Sequence, residues 1–262
     1  ATATVALGAS SSVSMPSLWR YAHPEAKAII GIEWSRLVAS PLGQQIRQQM
    51  AEKGQDALPG MDMIEDVEKV LITTPGGAGG GGENQPPAVI ALRGNFDLAA
   101  IRELAAEKTT GSQMYGGIEI LESQEEGDQP VSLALVDSRT LLLGDMDSVL
   151  GAIDHYAAAD PSQASNPLYQ HAMDLSDGND IWLVAEASPA DFGAGGAGPA
   201  QFLDDVERIE AGISLQDGLG LQLNLGTATA ESATELATGL RMMLGMLMMN
   251  QQPDMANLAE KL

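Results

Sequence analysis

Cysteine is absent from this chain of 262 residues, and the aromatics are few: 3 Phe, 4 Tyr and 3 Trp. Without thiols there is no disulfide scaffold, no thiolate metal site and no cysteine nucleophile. Basic residues are also scarce, with 13 Lys and Arg against 36 Asp and Glu, a formal net charge of −23. A surface this acidic offers no basic face to a nucleic-acid backbone, which excludes that class of partner. No apolar run reaches the roughly 18 residues that a membrane-spanning helix needs. Glycine, by contrast, is plentiful at 29 residues.

What is present describes a globular chain long enough for a sizeable core. Ala, Leu and Val supply most of the apolar content, so the expected core is one of many small contacts rather than a few large anchors. The acidic, lysine-poor surface suits a salty or mildly acidic medium and points to an extracytoplasmic setting. The first residues, Ala1-Thr2-Ala3-Thr4-Val5-Ala6-Leu7-Gly8-Ala9, have the small-residue character of a signal-peptide cleavage region. A flexible tail is the alternative reading. A third follows from the alternation of Ala3, Val5 and Leu7 with Thr2, Thr4 and Ala6, which suits an added strand on a sheet edge.

Periodicity divides the rest. The patterns predict about nine strands, near 27–34, 70–74, 88–93, 115–121, 131–136, 140–143, 181–187, 208–216 and 219–227. Asp217-Gly218 between the last two is a strong hairpin signal. Helices are expected after Ser40-Pro41, after Asp97, after Asp145 or Asp147, over 167–175, from about 230 to 249, and in a tail over 253–262. A hairpin followed at once by a helix occurs three times, each helix entered at Asp97, Asp145 or Thr229. This weak β-(x)-β-β-α repeat implies an α+β fold, an antiparallel-rich sheet with helices packed on one face. Residues 27–121 also read strand-helix-strand-strand-helix-strand, the ferredoxin-like order. The organisation expected is an N-terminal arm over 1–20, an α+β domain over 21–250 with two sub-modules meeting near 121, and a tail helix over 251–262.

The stretch Glu25-Ala26-Lys27-Ala28-Ile29-Ile30-Gly31-Ile32-Glu33, followed by Ser40-Pro41-Leu42-Gly43, resembles a group of secreted bacterial proteins common in acidobacteria. Gly60-Met61-Asp62, Asp66-Val67, Val70-Leu71 and Leu143-Gly144-Asp145 are similar to further blocks of that group. The resemblance implies an extracytoplasmic location. The group has no activity to lend, so no catalytic residue follows from it.

Several strings of chemical interest weaken on inspection. Gly77, Gly79, Gly82 and again Gly193, Gly195, Gly198 spell G-x-G-x-x-G. Neither stands directly between a strand and a helix, as a dinucleotide site requires, so both read as loops. His23, His155 and His171 lack metal-ligand spacing, and no G-x-S-x-G elbow marks a triad. Glu122, Glu125, Glu126, Asp128 and, separately, Asp174, Asp177, Asn179, Asp180 form acidic turns. Neither follows an EF-hand, and both read as solvated turns rather than Ca²⁺ loops.

The most unusual stretch is the methionine-rich 240–249. Leu236, Leu240, Met243, Leu244 and Leu247 make one apolar stripe, and Met242, Met246 and Met249 make a second one beside Gly239. A helix apolar on two sides needs cover on two sides, from its own tail or another chain. Met243-x-x-Met246 also suits Cu(I), although packing is the simpler use. The sequence therefore predicts a non-enzymatic extracytoplasmic protein that acts through contacts, by self-association or with another protein, and that needs no cofactor. The expected contact residues are Val5, Leu7, Met242, Met246 and Met249. The alternatives are a small-ligand or metal-binding module and a cryptic hydrolase.

Overall fold

The computed structural model describes residues 17–41, 43–44, 66–76, 87–106, 109–123, 130–158, 167–186, 205–215 and 218–249, with the backbone alone described at 17, 123, 240 and 242–249. Among these residues a 3-10 turn, Ser17–Tyr21, precedes ten strands and five helices. The strands are β1 (Ala28–Ile32), β2 (Val67–Thr74), β3 (Val89–Gly94), β4 (Thr109–Tyr115), β5 (Ile118–Ser123), β6 (Val131–Asp137), β7 (Thr140–Gly144), β8 (Ile181–Ala185), β9 (Val206–Ser214) and β10 (Gly220–Thr227). The helices are α1 (Trp34–Ala39), α2 (Leu98–Ala106), α3 (Met146–Ala158), α4 (Pro167–Ser176) and α5 (Ala230–Met249).

All ten strands share one antiparallel sheet in the order β10-β9-β8-β1-β2-β3-β7-β6-β5-β4. The α+β reading holds. The tenth strand is β4, which was expected to be loop and helix end. Its sequence TTGSQMY is polar and mostly exposed, so it carries no apolar alternation to betray it. The Gly116-Gly117 pair, with φ of 56° and 85°, turns the chain into β5, so Tyr115 ends one strand rather than starting the next.

The ferredoxin-like element order occurs in the chain, but its sheet does not form. β1 lies directly beside β2 in antiparallel register, Ile30 opposite Ile72, where a ferredoxin-like unit needs a crossover. The sheet instead has a two-fold plan. β1, β2 and β3 step away from the centre in one direction, and β8, β9 and β10 step away in the other, with β1 against β8 through Ile30 opposite Leu183.

The helices extend the one-face expectation. The 3-10 turn, α3 and α4 cover one face over Ile29, Leu71, Val89, Ile120, Leu142 and Val184. On the other face a smaller cluster packs Trp34, Leu98 and Ile101 of α1 and α2 against Val70, Leu92, Leu135 and Leu141. The main core is not all small contacts. Trp19 lies 5.5 Å from Trp182 and 6.2 Å from Tyr169, ring centre to ring centre, and Tyr21 stacks on Tyr156 at 4.3 Å. The scarce aromatics are thus concentrated around the 3-10 turn, where edge-on and offset packing adds to their burial.

The three helix entries fall where expected. Asp97 Oδ1 accepts from the Ala99 and Ala100 amides, Asp145 Oδ1 from the Ser148 amide, and Thr229 Oγ1 from the Ser232 amide. Each satisfies N–H groups that the first helical turn leaves without partners. Burial works against ionisation of Asp145, yet the Ser148 hydroxyl and amide and the Ala88 amide overcome it and hold the carboxyl below its usual range. Ser40 also caps, accepting from the Gly43 amide at 3.1 Å, after closing α1 with its own N–H on the Arg36 and Leu37 carbonyls.

Candidate functional site

β10 is one end of the sheet, and among the described residues its only strand partner is β9. Gly218, at φ 115°, makes the turn that starts it. Side chains then alternate. Gln222 and Asn224 face the side of α4, where Asn224 donates to Glu210 Oε2 at 3.2 Å. Leu221, Leu223 and Leu225 face the opposite side. Leu219, Leu221 and Leu223 are 63, 74 and 61% exposed, among the most exposed large apolar side chains of the described residues. They are not isolated. Register places Leu223 beside Ala211, Ala211 beside Leu183, Leu183 beside Ile30 and Ile30 beside Ile72, so an apolar row crosses five strands and surfaces at the edge. Residues 218–230 carry no charged side chain in a chain of net charge −23.

The two-fold plan gives this edge a counterpart. β3 occupies the position in its half that β10 occupies in the other, and the outer edge of β3 is taken by β7, with Ala91 opposite Leu142. At the far end of the sheet, β4 is blunted by a register shift between Thr109 and Gly111 and by its polar side chains. Natural edges use such devices against pairing; β10 has a register shift of its own between Gly226 and Thr227, but no charge or proline.

The histidines hold separate posts. His23 is buried; its Nδ1 accepts from the Glu25 amide at 3.1 Å, and its own amide donates to Thr73 Oγ1 at 2.8 Å. Burial pushes its pKa down, His155 adds to that, and Glu25 and Asp145 oppose it. His155 places Nδ1 2.9 Å from the Ala22 carbonyl oxygen. His171 lies 3.1 Å from Glu210 Oε1, the oxygen that Arg208 Nε reaches at 3.0 Å. A groove of about 410 Å³ beside this trio is lined also by Asp174, Asn179, Ser214 and Gln222. Glu210 is engaged by a guanidinium, an imidazole and an amide, an arrangement that joins α4 to the β9-β10 hairpin.

The contact residues expected from sequence fall mostly outside this description. Val5 and Leu7 lie outside the described residues. Met242, Met246 and Met249 belong to α5, whose backbone is helical there, and their side chains lie outside the description. Both glycine-rich motifs and Glu125, Glu126 and Asp128 also lie outside it. The second acidic turn divides. Asp174 and Asp177 face solvent, whereas Asn179 turns inward to donate to the Leu175 carbonyl at 2.9 Å and Asp180 is buried. Among the described residues no three acidic or histidine side chains converge as a metal site. The β10 edge was half legible: alternating Leu219, Leu221, Leu223 and Leu225 mark a strand, but only the strand order shows that no described strand follows it.

No protein-family description matches the chain, and no curated protein matches it in sequence. Among solved structures, crystal form I of TP0453 is similar at 10% identity with a TM-score of 0.49, covering 83% of this chain and 81% of that one. Crystal forms III and IV of TP0453 are similar at 8% identity, each with a TM-score of 0.49.

Proposed function

We propose that the chain is a non-enzymatic, extracytoplasmic protein that acts through contacts, and that its contact is the edge of β10, paired antiparallel with β10 of a second copy. The observation that carries this reading is the uncharged edge itself, with three leucines mostly in solvent. Large exposed apolar clusters mark interaction surfaces. An open strand adds main-chain hydrogen bonds to that attraction.

Charge selects the occupant. Two copies of a −23 chain repel over most of their surfaces, and a neutral stretch is where they approach at least cost. Self-pairing about Leu223 brings Leu221 and Leu225 of the two copies side by side and closes a two-fold dimer, the commonest symmetry of soluble oligomers. The extracytoplasmic part rests on the acidic, lysine-poor composition and on the resemblance to secreted bacterial proteins.

Light scattering over a hundredfold range of concentration tests the reading. The intact chain is expected at twice its monomer mass. Leu221→Lys with Leu223→Lys is expected at the monomer mass, with an unchanged circular dichroism spectrum, because both side chains are exposed. A monomeric intact chain at every concentration overturns the proposal, as does a lysine variant that stays dimeric. An intact chain that is monomeric alone and captures an uncharged strand peptide points to a different protein as the partner, which also overturns the second copy.

A further inference from the structure

Asn179, just after α4, is 7% exposed and lines the groove of about 410 Å³ between α4 and the β9-β10 hairpin. Its amide lies against Gly212 of β9, so close that a β-carbon there would collide with Cγ, Oδ1 and Nδ2 alike. Nδ2 donates to the Leu175 carbonyl at 2.9 Å, which fixes Oδ1 as the other arm of the amide. Oδ1 accepts no hydrogen bond among the described residues. A buried acceptor without a donor is rare in folded proteins and asks for an explanation.

The charges around the groove are unevenly matched. Glu210 is met by Arg208 Nε at 3.0 Å and by His171 Nδ1 at 3.1 Å. Asp174, on the rim, has no ion pair or hydrogen bond among the described residues. The groove thus combines an unsatisfied acceptor with an uncompensated carboxylate. Among the described residues no three acidic or histidine side chains converge as a metal ion would require.

From these observations we infer a binding site for a small organic ammonium, which donates to Asn179 Oδ1 and is balanced by Asp174, with its carbon body along Leu175. An ammonium offers three donors and no acceptor, which suits an acceptor-rich groove. The volume lies within the range of ligand pockets. The field of a −23 chain concentrates cations near every surface, and the Asn179 oxygen and the Asp174 carboxylate give that general attraction one address. The site does not rest on the pairing of β10: the groove lies on the α4 side of the sheet, and Leu223 and Leu225 face the other.

Butylammonium, butanol and butyrate serve as matched probes, titrated at constant ionic strength and followed by backbone amide NMR shifts and by calorimetry. Butylammonium is expected to move the Gly178, Asn179 and Gly220 amides saturably, and butanol and butyrate to bind at least tenfold more weakly. Asp174→Asn is expected to weaken butylammonium about threefold, the share of an exposed charge. Asp177→Asn removes the same charge nearby but outside the groove, and is expected to leave the affinity unchanged. Asn179→Ala is expected to weaken it at least tenfold. The contrast between Asp174 and Asp177 decides even where Asn179→Ala disturbs the fold, because both aspartates are exposed. No saturable response to butylammonium overturns the site. So do equal affinities for the three probes, and so does an Asp177→Asn variant weakened as much as Asp174→Asn, the mark of a diffuse attraction to the acidic surface.

Discussion

Arg36 on α1 places its Nε 3.1 Å from Oδ1 of Asp180, a carboxylate 2% exposed at the start of β8. The second oxygen of Asp180 accepts from the Leu215 amide at 2.7 Å, and Arg36 also reaches the Asn179 carbonyl oxygen. One buried carboxylate thus ties α1 and the end of β9 to the central strands. Asp180→Ala removes both ties and leaves a buried amide without an acceptor, and is expected to cost about 3 kcal/mol, the low end for breaking a buried pair. Arg36→Ala is expected to cost about 2 kcal/mol, because it leaves the buried carboxylate without its cation while the Leu215 amide still donates to it. Urea unfolding of both variants checks the order. Equal losses contradict the role given to the Leu215 amide.

Gly31→Ala is expected to destabilise by about 1–3 kcal/mol, the cost of forcing a methyl into a packed site. The side chain that must move is Trp182, and Trp19 packs on it. Tryptophan emission should therefore shift in the native baseline, before any unfolding. A variant with unchanged emission and an unchanged urea midpoint removes the close approach of ring and backbone.

His23 has its pKa depressed below the ordinary value of 6.5 by burial. The unfolded chain therefore takes up a proton at pH values where the folded chain resists it. The stabilisation is complete above about pH 6.5 and declines as pH falls from there toward the folded value. Protonation of Nδ1 also removes the acceptor for the Glu25 amide. His23→Asn is expected to lose less stability than the parent between pH 7 and pH 5.5, measured by urea midpoints. Identical losses in the two proteins disprove the coupling.

The parts of the fold legible in the sequence are those specified locally. Asp97, Asp145 and Thr229 announce their helices because a cap needs only the next three residues. Asp217-Gly218 announces its hairpin for the same reason. β4 was not legible, since an edge strand exposed on both faces needs no apolar alternation. The pairing of β1 with β2 and β8 depends on which strand reaches which neighbour, and the local pattern does not hold that information. The same holds for the exposed edge of β10. Leu223 is an ordinary strand leucine until β10 proves to be the last of the described strands.

The two-fold plan of the sheet sets an order of assembly. β1 finds β2 within the first third of the chain, but its other neighbour begins at Ile181. During synthesis the inner edge of β1, with Ile29 and Ile30, is a temporary margin that stays open while more than a hundred further residues are made. Closing the seam between β1 and β8 is a long-range event, slow relative to the hairpins on either side of it. The growing chain therefore passes through a stage with a hydrophobic strand awaiting its mate, and it is in that interval, rather than in the finished molecule, that misfolding finds its opening.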